Sequence, residues 1–172
     1  MAPELSNTNQ GGADALDELD RGLLYRLMRQ GRATWSDLAE ELGLTAPAIA
    51  QRVRRLEERG VIKQFAAWVD AETLAPVAAY VAVRFDRPEL RSRFRQEVQR
   101  LDAVQECCQL TGEDDYLLKV RCGSLRELEE LVSTTLPRVP GVARTRTSVV
   151  LSTVKDTPVL ALPGAPQGGS KR

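Results

Sequence analysis

The sequence predicts an α+β chain of two modules: three short N-terminal helices, then a unit of β-α-β-β-α-β order. Up to about residue 61, apolar residues recur at closely spaced helical intervals. Beyond that point, alternating runs typical of strands are interleaved with helical runs. Gly, Pro, Asn, Gln and Ser dominate residues 1–15 and 157–172, so we expect a disordered N-terminal tail and a flexible C-terminal tail.

The composition is that of an ordinary globular protein, with 172 residues, 42% of them hydrophobic, and 24 basic against 24 acidic side chains. Histidine is absent, which excludes the usual nucleophilic triads and most zinc and iron sites. Cys107, Cys108 and Cys122 form no C-x-x-C pair, so structural thiols are favoured over redox or metal roles. No apolar run reaches about 18 residues and no signal-peptide pattern is present, so a cytoplasmic protein without a membrane segment is expected.

Each predicted N-terminal helix has its own capping signal. The expected N-caps are Asp17, Thr34 and Thr45, and the glycines that follow the helices are Gly31, Gly43 and Gly60. Asp37 completes a capping box with Thr34, and Pro47 falls in the first turn of the third helix, where its missing N–H is harmless. The predicted core faces are Leu19, Leu23, Leu24 and Leu27; Leu38, Ala39 and Leu42; and Ile49, Val53 and Leu56.

The second module reads as four strands and two helices, preceded by an extended segment after Gly60. Strands are predicted over 77–85, 104–111, 116–122 and 142–154, a helix over 88–101, and another after the capping pair Ser124 and Glu127. The helical stripes are Leu90, Phe94, Val98 and Leu101, and Leu125, Leu128, Val132 and Leu136. The economical arrangement is a ferredoxin-like antiparallel sheet with both helices on one face. Residues 77–83 are apolar on both faces, so the helix-free face is expected to meet a second copy.

The tight turn at Gly43 and Leu44 between the second and third helices is what a helix-turn-helix requires. The outer face of the third helix begins with short side chains, which would let the backbone approach base edges. Arginines, including Arg59, follow and could bind phosphates. The alternative is a solvated helix whose arginines pair with Glu57 and Glu58. The predicted DNA contacts are Thr34, Thr45, Pro47, Ala48, Gln51, Arg52, Arg54, Arg55 and Lys63, with Gln51 the first candidate for an adenine contact.

The segment LDELDRGLLYRLMRQGRATWSDLAEELGLTAPAIAQRVRRLEERGVIKQF resembles the N-terminal module of the Lrp/AsnC (feast/famine) transcription regulators. TGEDDYLLKV and TRTSVVLSTVKDT resemble the effector-binding module of that family, called RAM. The resemblance covers about residues 16–156. It implies a helix-turn-helix domain over 16–62, a linker over 63–76 and a RAM domain for ligand binding and oligomerisation over 77–156. Trp35 is bulkier than usual for its position; padding of the first two helices is preferred over contact with the DNA backbone.

The loop between the second and third predicted strands can be a plain hairpin turn with solvated charges. The resemblance instead implies that its Gly-x-x-Asp-Tyr segment lines a small-molecule pocket at a subunit interface. An amino acid's ammonium would meet Asp114 or Asp115, and Thr145, Thr147 or Ser148 would supply a hydroxyl. The predicted effector site is Gly112, Asp114, Asp115, Tyr116 and Thr147.

These expectations combine into a transcription regulator that binds double-stranded DNA, assembles as a dimer or an octamer, and responds to an amino-acid effector without metal or cofactor. The effector would act by binding one assembly state better than another. One alternative is an architectural protein that wraps DNA without an effector. An enzyme carrying a DNA-binding appendage is disfavoured because histidine and a G-x-G-x-x-G cofactor loop are both missing.

Overall fold

A computed structural model describes residues 15–163, which form two compact units. The helical unit contains the described residues up to Trp68 together with those from Thr157 onward. The sheet unit comprises Val69–Asp156. Within the described chain, no helix has both the length and the apolar character needed to cross a bilayer.

The helical unit consists of α1 (Glu18–Arg29), α2 (Trp35–Leu42) and α3 (Ala46–Glu58). Each helix starts at its predicted cap: Asp17 accepts from the Asp20 N–H at 2.6 Å and Thr34 from the Asp37 N–H at 3.2 Å. Gly43 ends α2 with a φ of 65°, a left-handed conformation that a side chain would strain. Three residues therefore turn the chain from α2 into α3.

The core of the helical unit consists of the predicted inward faces, except that Leu19 is half-buried outside the cluster and Leu42 is only partly buried against it. Its buried members are Leu23, Leu24, Leu27, Leu38, Ala39, Ile49, Val53 and Leu56. Leu162 packs against this cluster, and the N–H of Leu160 donates to the sulfur of Met28 at 3.5 Å. The start of the predicted flexible C-terminal tail is therefore attached to the helical unit as far as the described residues reach. Most of the predicted N-terminal tail, and residues 164–172, lie outside the described residues.

The linker after α3 differs from the sequence prediction by one short helix, α4 (Ala71–Leu74). Asp70 caps it by accepting hydrogen bonds from the N–H groups of Glu72 and Thr73. Four residues are too few to show a helical period, which is why the pattern did not reveal it.

The sheet unit has the predicted β-α-β-β-α-β order and the strand order β2-β3-β1-β4, with every neighbouring pair antiparallel. The strands are β1 (Val77–Phe85), β2 (Val104–Gln109), β3 (Tyr116–Cys122) and β4 (Val142–Val149). A 3₁₀ turn (Pro88–Leu90) leads into α5 (Arg91–Val98), while α6 (Leu125–Glu130) continues as a π turn (Leu131–Thr135) and a 3₁₀ turn (Leu136–Arg138). This confirms the ferredoxin-like fold.

Two strands are shorter than predicted because their partners end. The backbone N–H of Val150 still bonds to the carbonyl of Ala78, but β1 begins at Val77, so later residues have no strand to pair with. Gln109 pairs with Tyr116, the first residue of β3, and the chain then enters the hairpin loop. The ends of β2 and β4 are thus set by contacts distant in sequence.

The core of the sheet unit lies between the sheet and its helices. Phe85, Phe94 and Tyr116 form an aromatic cluster with centroids 5.0 to 5.8 Å apart. Leu128 and Leu136 are buried as predicted, whereas Leu125 at the first position of α6 is 66% exposed, so its assignment to the core was wrong. Leu131, in the π turn, is buried instead.

The helix-free side of the sheet, here called the open face, is less apolar than β1 alone suggested. On β1 it carries Ala78, Tyr80 and Ala82, but the register places charged residues on the neighbouring strands. Those charged neighbours are Lys119 and Arg121 on β3 and Arg144 and Arg146 on β4. The expectation of an apolar open face is therefore wrong outside the central strand.

Candidate functional site

The third helix presents its predicted outer face to solvent. Thr45 caps α3 by accepting from the Ala48 N–H at 3.4 Å, which fixes the start of the helix. Pro47, Gln51 and Arg55 are exposed and Ala48 is half-buried, while the opposite face is in the core of the helical unit. Short residues thus precede a cation along one exposed helix face, the arrangement that a major-groove helix needs.

Arg52 does not share that exposure. Its Nη1 donates to Asp17 at 2.7 Å and to Asp20 at 2.8 Å, and the side chain is 24% exposed. Hydrogen bonding to Asp17, then to Asp20, raises the pKa of Arg52 against the opposing effect of burial. The guanidinium of Arg52 thus joins α3 to the start of α1, and its predicted phosphate contact stays a prediction.

The ion pair with Arg52 also shifts the pKa of Asp17. Partial burial acts to raise the pKa of Asp17, but hydrogen bonds from the Asp20 N–H and from Arg52 outweigh it and hold that pKa below its ordinary value of 3.8. Asp17 thereby serves both as the N-cap of α1 and as an anchor for α3.

The remaining predicted cations divide into paired and available groups. Arg54 donates to Glu58 at 2.9 Å, and both side chains are exposed. This is the kind of pair that the solvated-helix alternative predicted for α3. Arg55 and Lys63 are exposed, and neither has an ion-pair partner in the part of the chain that the structure describes. They are the two predicted contacts with a guanidinium or ammonium available for phosphate.

Trp35 lies at the first position of α2, directly after Thr34, which is also exposed. The Trp35 side chain is 39% exposed and is outside the core cluster of the helical unit. Most of its surface is nevertheless covered, so the preferred interpretation, that it pads α1 and α2, stays a prediction.

The hairpin loop is held by backbone bonds and by one carboxylate. Gly112 has a φ of +123°, the positive value that its position was expected to require. The Asp115 carboxylate accepts from the Phe85 N–H at 2.9 Å and from the guanidinium of Arg91. Both hydrogen bonds tie the loop to neighbouring elements, so the predicted ammonium partner Asp115 is already engaged within the fold.

Tyr116 and Thr147 lie away from the loop surface. Tyr116 is 2% exposed in the aromatic cluster, and its hydroxyl has no hydrogen-bond partner among residues 15–163. Thr147 pairs in register with Val81 and therefore lies on the helix-bearing side of the sheet. The structure does not bring these two predicted site residues together with Asp114.

A small cleft of about 40 Å³ does lie beside the loop. It is lined by Arg84, Glu113, Asp114, Arg144, Thr145 and Arg146, and is here called the arginine cleft. Arg146 donates to Asp114 at 2.7 Å. Asp114 lines it, and so does Thr145, one of the three residues considered for the hydroxyl. The arginines were missed, although the alternation of Arg144 and Arg146 along a strand indicates that they share a face.

The cysteines show the features of structural thiols. Desolvation raises the pKa of Cys122 and of Cys107, and a hydrogen bond to Glu106 raises the pKa of Cys108, so all three favour the unreactive thiol form. Among the described residues, no three Cys, Asp or Glu side chains lie close enough together to hold a metal ion.

Comparison with known proteins gives matches over both units. Residues 16–57 match the AsnC-type helix-turn-helix domain and residues 78–160 the Lrp/AsnC ligand binding domain. The leucine-responsive regulatory protein of Haemophilus influenzae is 38% identical over 165 residues, covering 94% of this chain and 99% of that protein. A transcriptional regulator from Neisseria meningitidis, solved as an L-Met complex, aligns with a TM-score of 0.80 and 30% identity over 87% of this chain and 98% of its own. The leucine response regulatory protein LrpA of Mycobacterium tuberculosis aligns with a TM-score of 0.73 and 33% identity over 82% and 96%.

Proposed function

Since the chain belongs to the Lrp/AsnC family of transcription regulators, we propose that it binds specific double-stranded DNA through α3 and that an amino acid regulates this binding. Family membership makes the chain a DNA-binding regulator rather than an enzyme. The observation that carries the DNA assignment is the exposed face of α3, where Pro47, Gln51 and Arg55 project opposite a fully packed inner face. That helix enters the major groove with its N-terminal half.

The proposed DNA contacts are of two kinds, contacts to bases and contacts to phosphates. Gln51 bonds a base through its primary amide, and the short Pro47 and Ala48 let the helix approach the groove. Arg55 and Lys63 hold phosphates, which fix the register of the protein on the duplex without reading its sequence. Thr34, Thr45 and Arg54 flank these residues as secondary contacts.

A binding-site selection with the full chain, followed by anisotropy titrations at several salt concentrations, tests this assignment. Gln51→Ala relaxes the preference at one base-pair position by about 1 to 3 kcal/mol. Arg55→Ala weakens binding to all sequences alike and lowers the salt slope by about 1. Arg138→Ala, an exposed arginine of the sheet unit, is the matched control. An unchanged sequence preference and salt slope would contradict the proposal.

We further propose that the chain is at least a dimer that buries the part of its open face around Ala78, Tyr80 and Ala82. Ala78, Tyr80 and Ala82 form an apolar strip along β1, and Tyr80 is 42% exposed in the single chain. Two copies would present two α3 helices to half-sites about 34 Å apart. Light scattering gives the mass directly, and a stable monomer would refute this part of the proposal. An octamer would register as a multiple of the dimer mass.

The effector site is proposed at the arginine cleft, since this described cleft adjoins the loop that the family resemblance points to. Relatives support an amino acid: curated ones are called leucine-responsive, and one structure holds L-Met. A thermal-shift screen over the twenty amino acids tests it, because a ligand of the native state raises apparent stability. If no amino acid shifts the melting temperature or alters DNA binding, the chain is an effector-independent DNA-wrapping protein instead.

A further inference from the structure

Two arginines of the arginine cleft, Arg84 and Arg144, lie opposite each other and have no ion-pair partner among residues 15–163. Arg84 on β1 and Arg144 on β4 are direct partners in an antiparallel pair, on the open face of the sheet. Like charges in that position are destabilising. Neither has an ion-pair partner within residues 15–163, and the nearby Asp114 is engaged by Arg146. The pair is therefore a solvent-exposed cationic site built into two strands.

The backbone maintains this arrangement. Arg84 pairs with Arg144 but the next residue, Phe85, pairs with Val142, so Ala143 is an extra residue in β4. Such a bulge increases the local twist and redirects the side chains beside it. Because both arginines lie on strands of the central sheet, their separation does not depend on the conformation of the hairpin loop.

The chemistry of the lining selects against an apolar ligand. Each of the six lining residues is charged or, in the case of Thr145, polar. A leucine side chain would find only the aliphatic stems of the arginines and little other apolar surface to bury against there. Guanidinium groups bind carboxylates through paired hydrogen bonds.

The charge balance defines the ligand further. Three arginines face two acids, Glu113 and Asp114, which leaves one positive charge in excess. Glu113 is exposed and has no ion-pair partner in the described part of the chain, so it is available for an ammonium group. An amino acid with an acidic side chain carries one net negative charge, with two carboxylates and one ammonium.

We propose that the effector is an acidic amino acid, with one carboxylate held between Arg84 and Arg144 and the ammonium at Glu113. This inference rests on the proposed function, which places the effector in the same cleft. It departs from the leucine response in the names of the relatives.

Isothermal titration of the full chain with L-glutamate, L-glutamine, L-aspartate and L-leucine tests the inference. Glutamate and glutamine have nearly the same shape, so their comparison isolates the charge of the side chain. An acidic amino acid should bind more tightly than glutamine or leucine by a factor of about ten or more, the range expected for one charge-assisted interaction. Because this comparison uses the unaltered protein, it does not depend on any variant folding.

Variants then locate the site. Arg84→Gln and Arg144→Gln should each weaken binding of the acidic amino acid about tenfold while keeping or raising the melting temperature, because each removes a like-charge contact. Arg126→Gln, an exposed arginine on α6 outside the cleft, should bind like the unaltered chain.

The outcomes separate the two proposals. If leucine or glutamine binds as tightly as the acidic amino acids or more tightly, or if both cleft variants bind the acidic amino acid normally, this inference is wrong while regulation by an amino acid stands. If none of the twenty amino acids binds, both fail together.

Discussion

The guanidinium of Arg52 donates a hydrogen bond to the carboxylate of Asp20 at 2.8 Å, joining α3 to α1. Asp20 is 8% exposed and is the buried charged residue of the described chain. A buried carboxylate needs a partner because desolvation otherwise penalises its charge. The arginines of α3 therefore differ: Arg52 joins α3 to α1, whereas Arg55 is exposed and remains available for the proposed phosphate contact.

Replacing Arg52 by Ala should destabilise the helical unit by about 1 to 3 kcal/mol, since it leaves Asp20 without its ionic partner. Urea unfolding followed by circular dichroism measures the change. Arg54→Ala is the control on the same helix; its exposed pair with Glu58 should contribute less than about 1 kcal/mol. Under conditions where the protein is folded, Arg52→Ala should keep the salt slope of DNA binding. If Arg52→Ala has normal stability but a reduced salt slope of DNA binding, Arg52 contacts a phosphate.

Asp17→Asn should reveal the pH dependence of the same cluster. Asn remains a good N-cap, so the substitution removes the charge and spares the cap. The folded-state pKa of Asp17 lies below its ordinary value of 3.8, so the carboxylate contributes stability above that pH and loses it as pH falls through the folded value. Because the side chain is half exposed, the difference at neutral pH should be under about 1 kcal/mol.

Urea midpoints of the original and Asp17→Asn chains between pH 7 and pH 2 check this. The two curves should be separated above about pH 4 and converge below it. Glu40→Gln, an exposed acid of α2, serves as control. A separation that grows as the pH falls would contradict the assigned direction.

Features of the fold that depend on local sequence could be predicted, and those that depend on distant contacts could not. Asp17, Thr34 and Thr45 cap their helices because a capping side chain bonds a backbone N–H only two or three residues away. The end of β4 depends instead on where β1 begins, a contact between residues about 70 positions apart. Periodicity carries no information of that kind.

The candidate site also combines features that depend on local sequence with features that depend on distant contacts. The outer face of α3 follows from 3.6-residue periodicity, so Pro47 and Gln51 were assigned correctly to the exposed side. Whether an arginine on that helix faces solvent or an acid depends on the packing of α3 against α1, which decided the role of Arg52. The arginine cleft required the register of β1 against β4, and no local pattern specifies which residue pairs with Arg84.

Gly112→Ala should strain the hairpin loop, because Gly112 has a φ of +123° that side chains rarely adopt. The space around its Cβ position is open, so the cost is conformational rather than steric, about 1 to 3 kcal/mol. Gly31→Ala, at a position without a positive φ and with only ordinary contacts, is the control. Thermal unfolding compares the two, and an unaffected Gly112→Ala variant would mean that the loop relaxes freely.

Asp115 and Glu113 should respond to substitution in opposite ways. The Asp115 carboxylate bonds the Phe85 N–H at 2.9 Å and the guanidinium of Arg91, so Asp115→Ala leaves both donors without that acceptor. The expected loss of stability is about 1 to 3 kcal/mol, with effector affinity unchanged in the fraction that remains folded. Glu113 lines the arginine cleft from an exposed position, so Glu113→Gln should keep the stability and weaken effector binding about tenfold.

Urea unfolding and isothermal titration on the same two preparations separate these roles, with titrations run at a temperature where both variants are folded. Stability and affinity are independent readouts here, so each variant serves as the control for the other. If Asp115→Ala is as stable as the original chain and loses effector affinity instead, the carboxylate holds the ligand's ammonium and its bond to Arg91 is exchanged on binding. If Glu113→Gln unfolds early, its carboxylate supports the hairpin and the ammonium partner in the cleft must be Asp114, released from Arg146.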